Sequence, residues 1–325
     1  MLKKWQLFIY ICGLFFSWQT SIAADIEEGI NAVKNNDFKQ AFVIFKKLAE
    51  RDNARAQRNL GNLYIKALGV PQDYEQARYW YQKAIDSDIK DQVSTHNLAV
   101  IYEQGLGVEQ NHPQAAKLYQ QAAEAGYPES QYNLGLLYTG HHNHQIDLKK
   151  AFHWYQKSAA QGLSQAQTAV ADMYMNGKVV PQNHKLAFEW NLKAALQGDS
   201  RGQFHTGLMF SEGMGVIQDK HQAANWYKKA SEQGYIKATH NLAALYEAGI
   251  GVAQDLKQAI VLYQKAVADG FAESQYNLGL LYHAGRGVQQ DKAKALALFK
   301  QAAAQGMTDA QNNVLAIENT EQALK

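Results

Sequence analysis

The densest group of chemically capable side chains in this sequence is His141-His142-Asn143-His144, which holds three of the chain's 11 histidines. Imidazoles bind transition metals and move protons near neutral pH. With Asp147 close behind, the stretch has metal-ligand residue types. It lacks the i, i+4 or paired spacing that brings ligands onto one ion, and adjacent side chains on a turn diverge. Ser87-Asp88-Ile89-Lys90 matches the Ser-x-x-Lys nucleophile pattern of penicillin-recognising enzymes, but no Ser-Asp-Asn or Lys-Thr-Gly partner occurs. A serine with no oriented base and no oxyanion hole is an ordinary serine. Gly-x-Gly loops begin at Gly105, Gly213, Gly249 and Gly285. They follow helical patterns rather than strands, and they lack the third glycine and the Lys-Ser/Thr that grip a phosphate. These readings name no catalytic residue, no metal ligand and no cofactor.

The elements that must position such groups are set by a repeat. Trp154, Trp190 and Trp226 are spaced by 36 residues, and Gly162, Gly198, Gly234, Gly270 and Gly306 keep the same interval. "ESQYNLGLLY" occurs at 129–138 and again at 273–282, 144 residues apart, which is four such intervals. Each unit reads as two helices. Helix A carries Leu, then a small residue, then an aromatic three on, as in Leu60-Gly61…Tyr64. The small position is held by Gly61, Ala99, Gly135, Ala171, Gly207, Ala243 and Gly279. Glycine there costs about 1 kcal/mol of helix propensity against alanine, so its retention predicts a close approach of two backbones. Helix B opens on Asp73, Asn111, Asp147, Asn183, Asp219, Asp255 or Asp291, the residue types that cap free amides at a helix start. It continues as Ala-x-x-aromatic-aromatic and ends near a glycine suited to a left-handed C-cap. Its tryptophans and tyrosines recur at one register and read as core rather than as a sugar platform. Helix pairs this short cannot bury their apolar stripes alone, so the copies must stack.

"LGNLYIKALGVPQDYEQARYWYQKAI" and "LGLLYHAGRGVQQDKAKALALFKQAAAQG" resemble the Sel1-like repeat, a relative of the tetratricopeptide repeat with a Gly-x-Gly-Val loop between its helices. The resemblance covers seven copies over 54–306. It implies an all-α fold, a right-handed α-solenoid of stacked helix–turn–helix units. Residues 24–53 read as a degenerate N-terminal tetratricopeptide-like unit, because no Gly-x-Gly-Val loop precedes "DFKQAFVIFKKLA". Residues 307–325 read as a capping helix and tail. Within this frame, His141 and Asn143 stand where other copies have glycine, and His144 replaces the valine of Val70, Val108, Val180, Val216, Val252 and Val288. Asn143 tolerates left-handed backbone best among non-glycine residues, and Gly140 can share that task. The histidine stretch is thus one loop of seven that lost its three signature residues.

In such solenoids helix A lines the concave surface. Two positions before the helix-A Leu the copies present Arg58, His96, Tyr132, Thr168, Phe204, His240 and Tyr276. The register is fixed while the chemistry varies, and Arg and aromatic side chains anchor interfaces. One position before the Leu stands an asparagine row that includes Asn133, Asn241 and Asn277. An amide side chain either bonds the backbone of an extended peptide or satisfies a neighbouring helix. The expected function is a non-enzymatic scaffold for a protein or peptide partner. The alternative is a β-lactamase-like or cell-wall hydrolase, as claimed for cysteine-rich relatives.

Residues 1–23 differ in kind. Lys3-Lys4, an apolar run from Trp5 to Phe16 and small residues at Ser21 and Ala23 compose a secretory signal peptide, cut after Ala23. The run is too short for a membrane span, which needs about 20 apolar residues. Lys3 and Lys4 are its only charges, so Lys+Arg falls from 32 to 30 and balances the 30 Asp+Glu. A neutral chain argues against a nucleic-acid partner. Cys12 leaves as well, so stability must come from packing without disulfides. The expected location is periplasmic or secreted, with no membrane span after cleavage.

Overall fold

The computed structural model describes residues 24–143 and 145–323, all helices and connecting turns. The signal-peptide reading of 1–23 and the valine replacement at His144 lie outside the described residues. The chain divides into two compact units between Gln161 and Gly162. The first contains α1 (24–34), α2 (Phe38–Ala49), α3 (Ala54–Lys66), α4 (Tyr74–Ser87), α5 (Gln92–Gln104), α6 (His112–Glu124), α7 (Pro128–Tyr138) and α8 (Leu148–Ala160). The second contains α9 (Ser164–Asn176), α10 (His184–Leu196), α11 (Ser200–Glu212), α12 (Lys220–Glu232), α13 (Ile236–Ala248), α14 (Leu256–Ala268), α15 (Ala272–Ala284), α16 (Lys292–Ala304) and α17 (Thr308–Ala323). Within each unit, helices A and B of a copy pack together, and each helix B packs on the next helix A.

The boundaries follow the capping chemistry. All seven helix-B Asp or Asn residues accept a backbone N–H three residues on, from Asp73 with Gln76 to Asp291 with Lys294. Helix A ends on left-handed Gly105, Gly177, Gly213, Gly249 and Gly285, and on Ala67 in the first copy. The loop valines Val70, Val108, Val252 and Val288 pack against the cores.

The small position of helix A has a different cause from the one expected. A Cβ on Gly61, Gly135, Gly207 or Gly279 would lie 2.5–2.8 Å from the ring of Tyr81, Tyr155, Tyr227 or Phe299. The helix-B aromatic of the same copy covers that point, so the nearest approach is ring to backbone, with the Ala223 carbonyl also 3.2 Å away at Gly207. Tyr81, Tyr119, Tyr227, Tyr263 and Phe299 are among the largest fully buried side chains. The adjacent tryptophans carry lysines over their faces. Lys157, Lys193 and Lys229 place Nζ 4.7, 4.0 and 4.1 Å from the ring centroids of Trp154, Trp190 and Trp226. Those faces are therefore occupied.

Candidate functional site

The expected site residues share a register but not an environment. In the first unit, Arg58 reaches from α3 to the α5 cap and sets Nη1 3.1 Å from Asp91 Oδ1, a carboxylate only 6% exposed. Asp91 also accepts from Ser94 N and Oγ. His96 sits between Tyr119 and Tyr127, with Nδ1 2.8 Å from Ser130 Oγ. Tyr132 packs 5.6 Å from Tyr155. In the second unit, His240 repeats the His96 setting, with Nδ1 2.9 Å from Ser274 Oγ and rings Tyr263 and Phe271 beside it. Tyr276 packs 5.8 Å from Phe299. Thr168 and Phe204 depart from the expectation of a surface row. Thr168 is 2% exposed and donates to Gln165 O, and Phe204 is 8% exposed and stacked 4.9 Å from Tyr235. Neither has surface to offer, because a larger neighbouring ring or its own helix carbonyl takes it.

Burial sets the titration of the two histidines. Loss of solvent pushes the His96 imidazole down from 6.5 to about 4, and His240 moves the same way for the same reason. His205, in the asparagine position of α11, is also lowered, chiefly by burial.

The asparagine row meets an intramolecular partner that the sequence did not name. Asn97, Asn133, Asn241 and Asn277 pair with the buried phenols of the preceding copy, Tyr81, Tyr119, Tyr227 and Tyr263, and Asn97 Nδ2 also donates to Asn62 Oδ1 at 3.2 Å. The Asn277 Nδ2 to Tyr263 Oη distance is 3.2 Å. Two of these phenols donate in turn to a helix-A glutamate, Tyr119 to Glu103 at 2.8 Å and Tyr263 to Glu247 at 2.9 Å. Burial, and then the carboxylate, push both phenols above their usual range. Asn277→Ala is expected to cost about 1–2 kcal/mol by leaving a buried hydroxyl short of a donor. A lowered thermal midpoint with an unchanged circular dichroism spectrum is the readout, and an unchanged midpoint would refute this role.

The histidine loop closes the same network. Its left-handed residues are Gly140 (φ 99) and His142 (φ 54), one residue upstream of the frame positions 141 and 143, so Gly140 does share the turn. His141 Nδ1 lies 3.0 Å from Leu136 O. His142 Nε2 lies 3.1 Å from Glu103 Oε1, and its ring stacks on His112 at 4.0 Å and 17°. In the second unit Arg286 holds the corresponding loop position, with Nη1 3.1 Å from Glu247 Oε1. There Ala244, Glu247, Ala248, Tyr263, Asn277, Leu280 and Arg286 line a cavity of about 320 Å³. Sequence spacing carried a signal for this pair, since 142 and 286 are 144 apart like the two decapeptides. Ser87 and Lys90 are exposed at the α4 end, where Asp88 Oδ1 accepts from Lys90 N at 3.0 Å.

A glutamine ladder escaped the sequence reading altogether. Gln131 Nε2 donates to Ala123 O at 3.1 Å, and Gln161 Nε2 donates to Gly126 O and Gln131 Oε1 at 2.9 and 2.8 Å. Gln233 and Gln305 do the same to Gly198 with Gln203, and to Gly270 with Gln275. These amides occupy the carbonyls freed at helix-B ends. Glutamine three before the helix-A Leu was the available clue.

The Sel1 repeat family model matches eight segments: 24–53, 54–88, 93–127, 128–163, 164–199, 200–235, 236–271 and 272–307. It takes in 24–53, the unit whose missing loop suggested a plain tetratricopeptide. The fold is similar to a crystal structure of a protective antigen present in uropathogenic Escherichia coli strains, at TM-score 0.80 and 32% identity. That match covers 91% of this chain and 64% of the antigen, so the chain spans less than two thirds of that protein. A Sel1 repeat protein from Oxalobacter formigenes matches at TM-score 0.65 and 29% identity, covering 92% and 90% of the two chains. No match is found among curated proteins. Among the described residues, no helix is long and apolar enough to cross a membrane. With helix pairs, left-handed loop glycines and family matches over nearly all of 24–307, the chain belongs to the Sel1 repeat family, and its architecture is that family's helical solenoid.

Proposed function

We propose that this chain is an exported, non-catalytic scaffold that holds a protein or peptide partner on its helix-A face, in the periplasm or outside the cell. The observation that carries the reading is the cavity lined by α13 and α15, where Glu247, Asn277 and Leu280, 38% exposed, stand on helix A beside Tyr263 of α14 and the loop residue Arg286. Helix-B aromatics are spent on the core, whereas helix A keeps Arg58, His96, Tyr132, His240 and Tyr276 partly open. Export is supported by the charged, apolar and small-residue order of residues 1–23. The likeness to a protective antigen agrees with exposure outside the cytoplasm.

The test is capture from envelope extract of the source cells, followed by the same capture with Tyr276→Ala and Leu280→Asp. Both variants are expected to lose the captured protein while keeping the wild-type circular dichroism spectrum. Undiminished capture by both would discard the reading. The mature chain should begin at Ala24 by mass spectrometry, and an intact Met1 in the exported fraction would discard cleavage.

A further inference from the structure

We infer that the Glu247–Tyr263–Asn277–Arg286 cluster is a pocket for a neutral amide of a peptide, and that the chain carries a second such cluster around Glu103 whose affinity falls as pH rises. The inference rests on the proposed helix-A binding face and names what that face takes.

The second unit shows which valences remain. Glu247 Oε2 accepts from Tyr263 and Oε1 from Arg286. Asn277 spends Nδ2 on Tyr263 Oη, which leaves its Oδ1 as an acceptor. Arg286 spends Nη1 on Glu247 and, half exposed, keeps further N–H donors. The carboxylate and guanidinium cancel in charge. A ligand carboxylate would meet Glu247, and a ligand cation would meet Arg286. A neutral amide meets neither objection: its carbonyl accepts from Arg286 and its N–H donates to Asn277 Oδ1. Ala244, Ala248 and Leu280 add an apolar wall, and about 320 Å³ suits a short segment rather than a large ligand.

The first unit repeats the arrangement in the same bonds. Tyr119 donates to Glu103 Oε2 at 2.8 Å, Asn133 pairs with Tyr119, and the loop side chain meets Glu103 Oε1 at 3.1 Å. The difference is that an imidazole, His142, stands where the second unit has a guanidinium, faced by Glu103 from α5 and by the His112 ring from α6. A protonated imidazole has two N–H donors, so one remains for a ligand after Glu103 is served. A neutral one has a single N–H. With that N–H on Glu103, the other nitrogen becomes an acceptor and the carboxylate stands uncompensated. An imidazole exchanges these states where a guanidinium keeps its charge. The drifted loop is therefore a substitution of the cation in a duplicated site.

The test is NMR of the purified chain with assigned Asn side-chain amides, titrated with N-acetyl-trialanine-amide at about pH 5.5 and pH 8. Sodium acetate and methylammonium serve as charged comparators. The capped peptide is expected to shift Asn277 saturably at both pH values. Asn133 should respond about tenfold more weakly at the higher pH, the loss of one hydrogen bond from a charged donor. Arg286→Ala should abolish the Asn277 response and spare that of Asn133, and His142→Arg should make the Asn133 response independent of pH. No saturable Asn277 shift, a response to acetate or methylammonium instead, or equal pH dependence at both asparagines would overturn the inference. If these fail while Leu280→Asp still abolishes partner capture, the binding face stands without this pocket. If capture is also unaffected, both readings fall.

Discussion

Gly215→Ala is expected to destabilise the second unit by about 2–5 kcal/mol, from left-handed strain plus overpacking. Gly215 has φ 71, and a Cβ there would lie 2.2 Å from the carbonyl oxygen of His184 at the start of α10. That neighbour is backbone, so no rotamer change relieves the contact. The position is where a loop rests on the first turn of the preceding helix B. Gly251 meets Lys220 and Gly69 meets Phe38 in the same way, at 2.4 and 2.3 Å. Gly234→Ala is the matched control. Its φ is 84, yet nothing lies within 4 Å of the added carbon, so only about 1 kcal/mol of backbone strain is expected. Denaturant midpoints of the two variants decide the matter. Equal shifts would show that the second loop glycine is conserved in the repeat for φ alone and not for stacking. The fourth copy agrees with the steric reading: it carries Val179 there, outside the set of left-handed residues.

Lowering the pH from about 6.5 to 4 should cost on the order of 3 kcal/mol through His96 alone. In the unfolded chain the imidazole takes a proton near 6.5, whereas in the folded protein burial delays it to about 4. Across that window the unfolded state binds more protons, so stability falls as acid is added and is fully recovered above it. His240 adds a loss of the same sign. A His96→Gln, His240→Gln variant keeps a polar group for Ser130 and Ser274 but cannot be protonated. Its denaturant midpoint should fall less than that of the parent between pH 7 and 4. Carboxylates titrate alike in both proteins, so parallel profiles would show that these histidines do not drive acid sensitivity.

Much of the fold was legible because its determinants are local. An Asp or Asn cap acts on a backbone amide three residues away, and a helix-ending glycine acts on its own φ. Both recur every 36 residues, so repetition made each copy evidence for the others. The fate of side chains at one register was not legible. Arg58 and Phe204 hold equivalent positions, yet one pairs with a buried aspartate and the other lies under Tyr235, because the decisive partner belongs to another helix. The partner of the asparagine row was hidden for the same reason: the phenol that Asn277 serves lies 14 residues back on another helix.

The sequence by itself determined the helices, their caps, the left-handed loop positions outside the histidine loop and the family, all through contacts within a few residues or through periodicity. Only the tertiary structure decided that the small helix-A residue seats a ring and that Thr168 and Phe204 are buried. It also decided that His142 meets Glu103 across 39 residues. Stacking brings those groups together, and hydrogen bonds and ring contacts reach only a few ångströms, so such partnerships have no signature until the helices are packed.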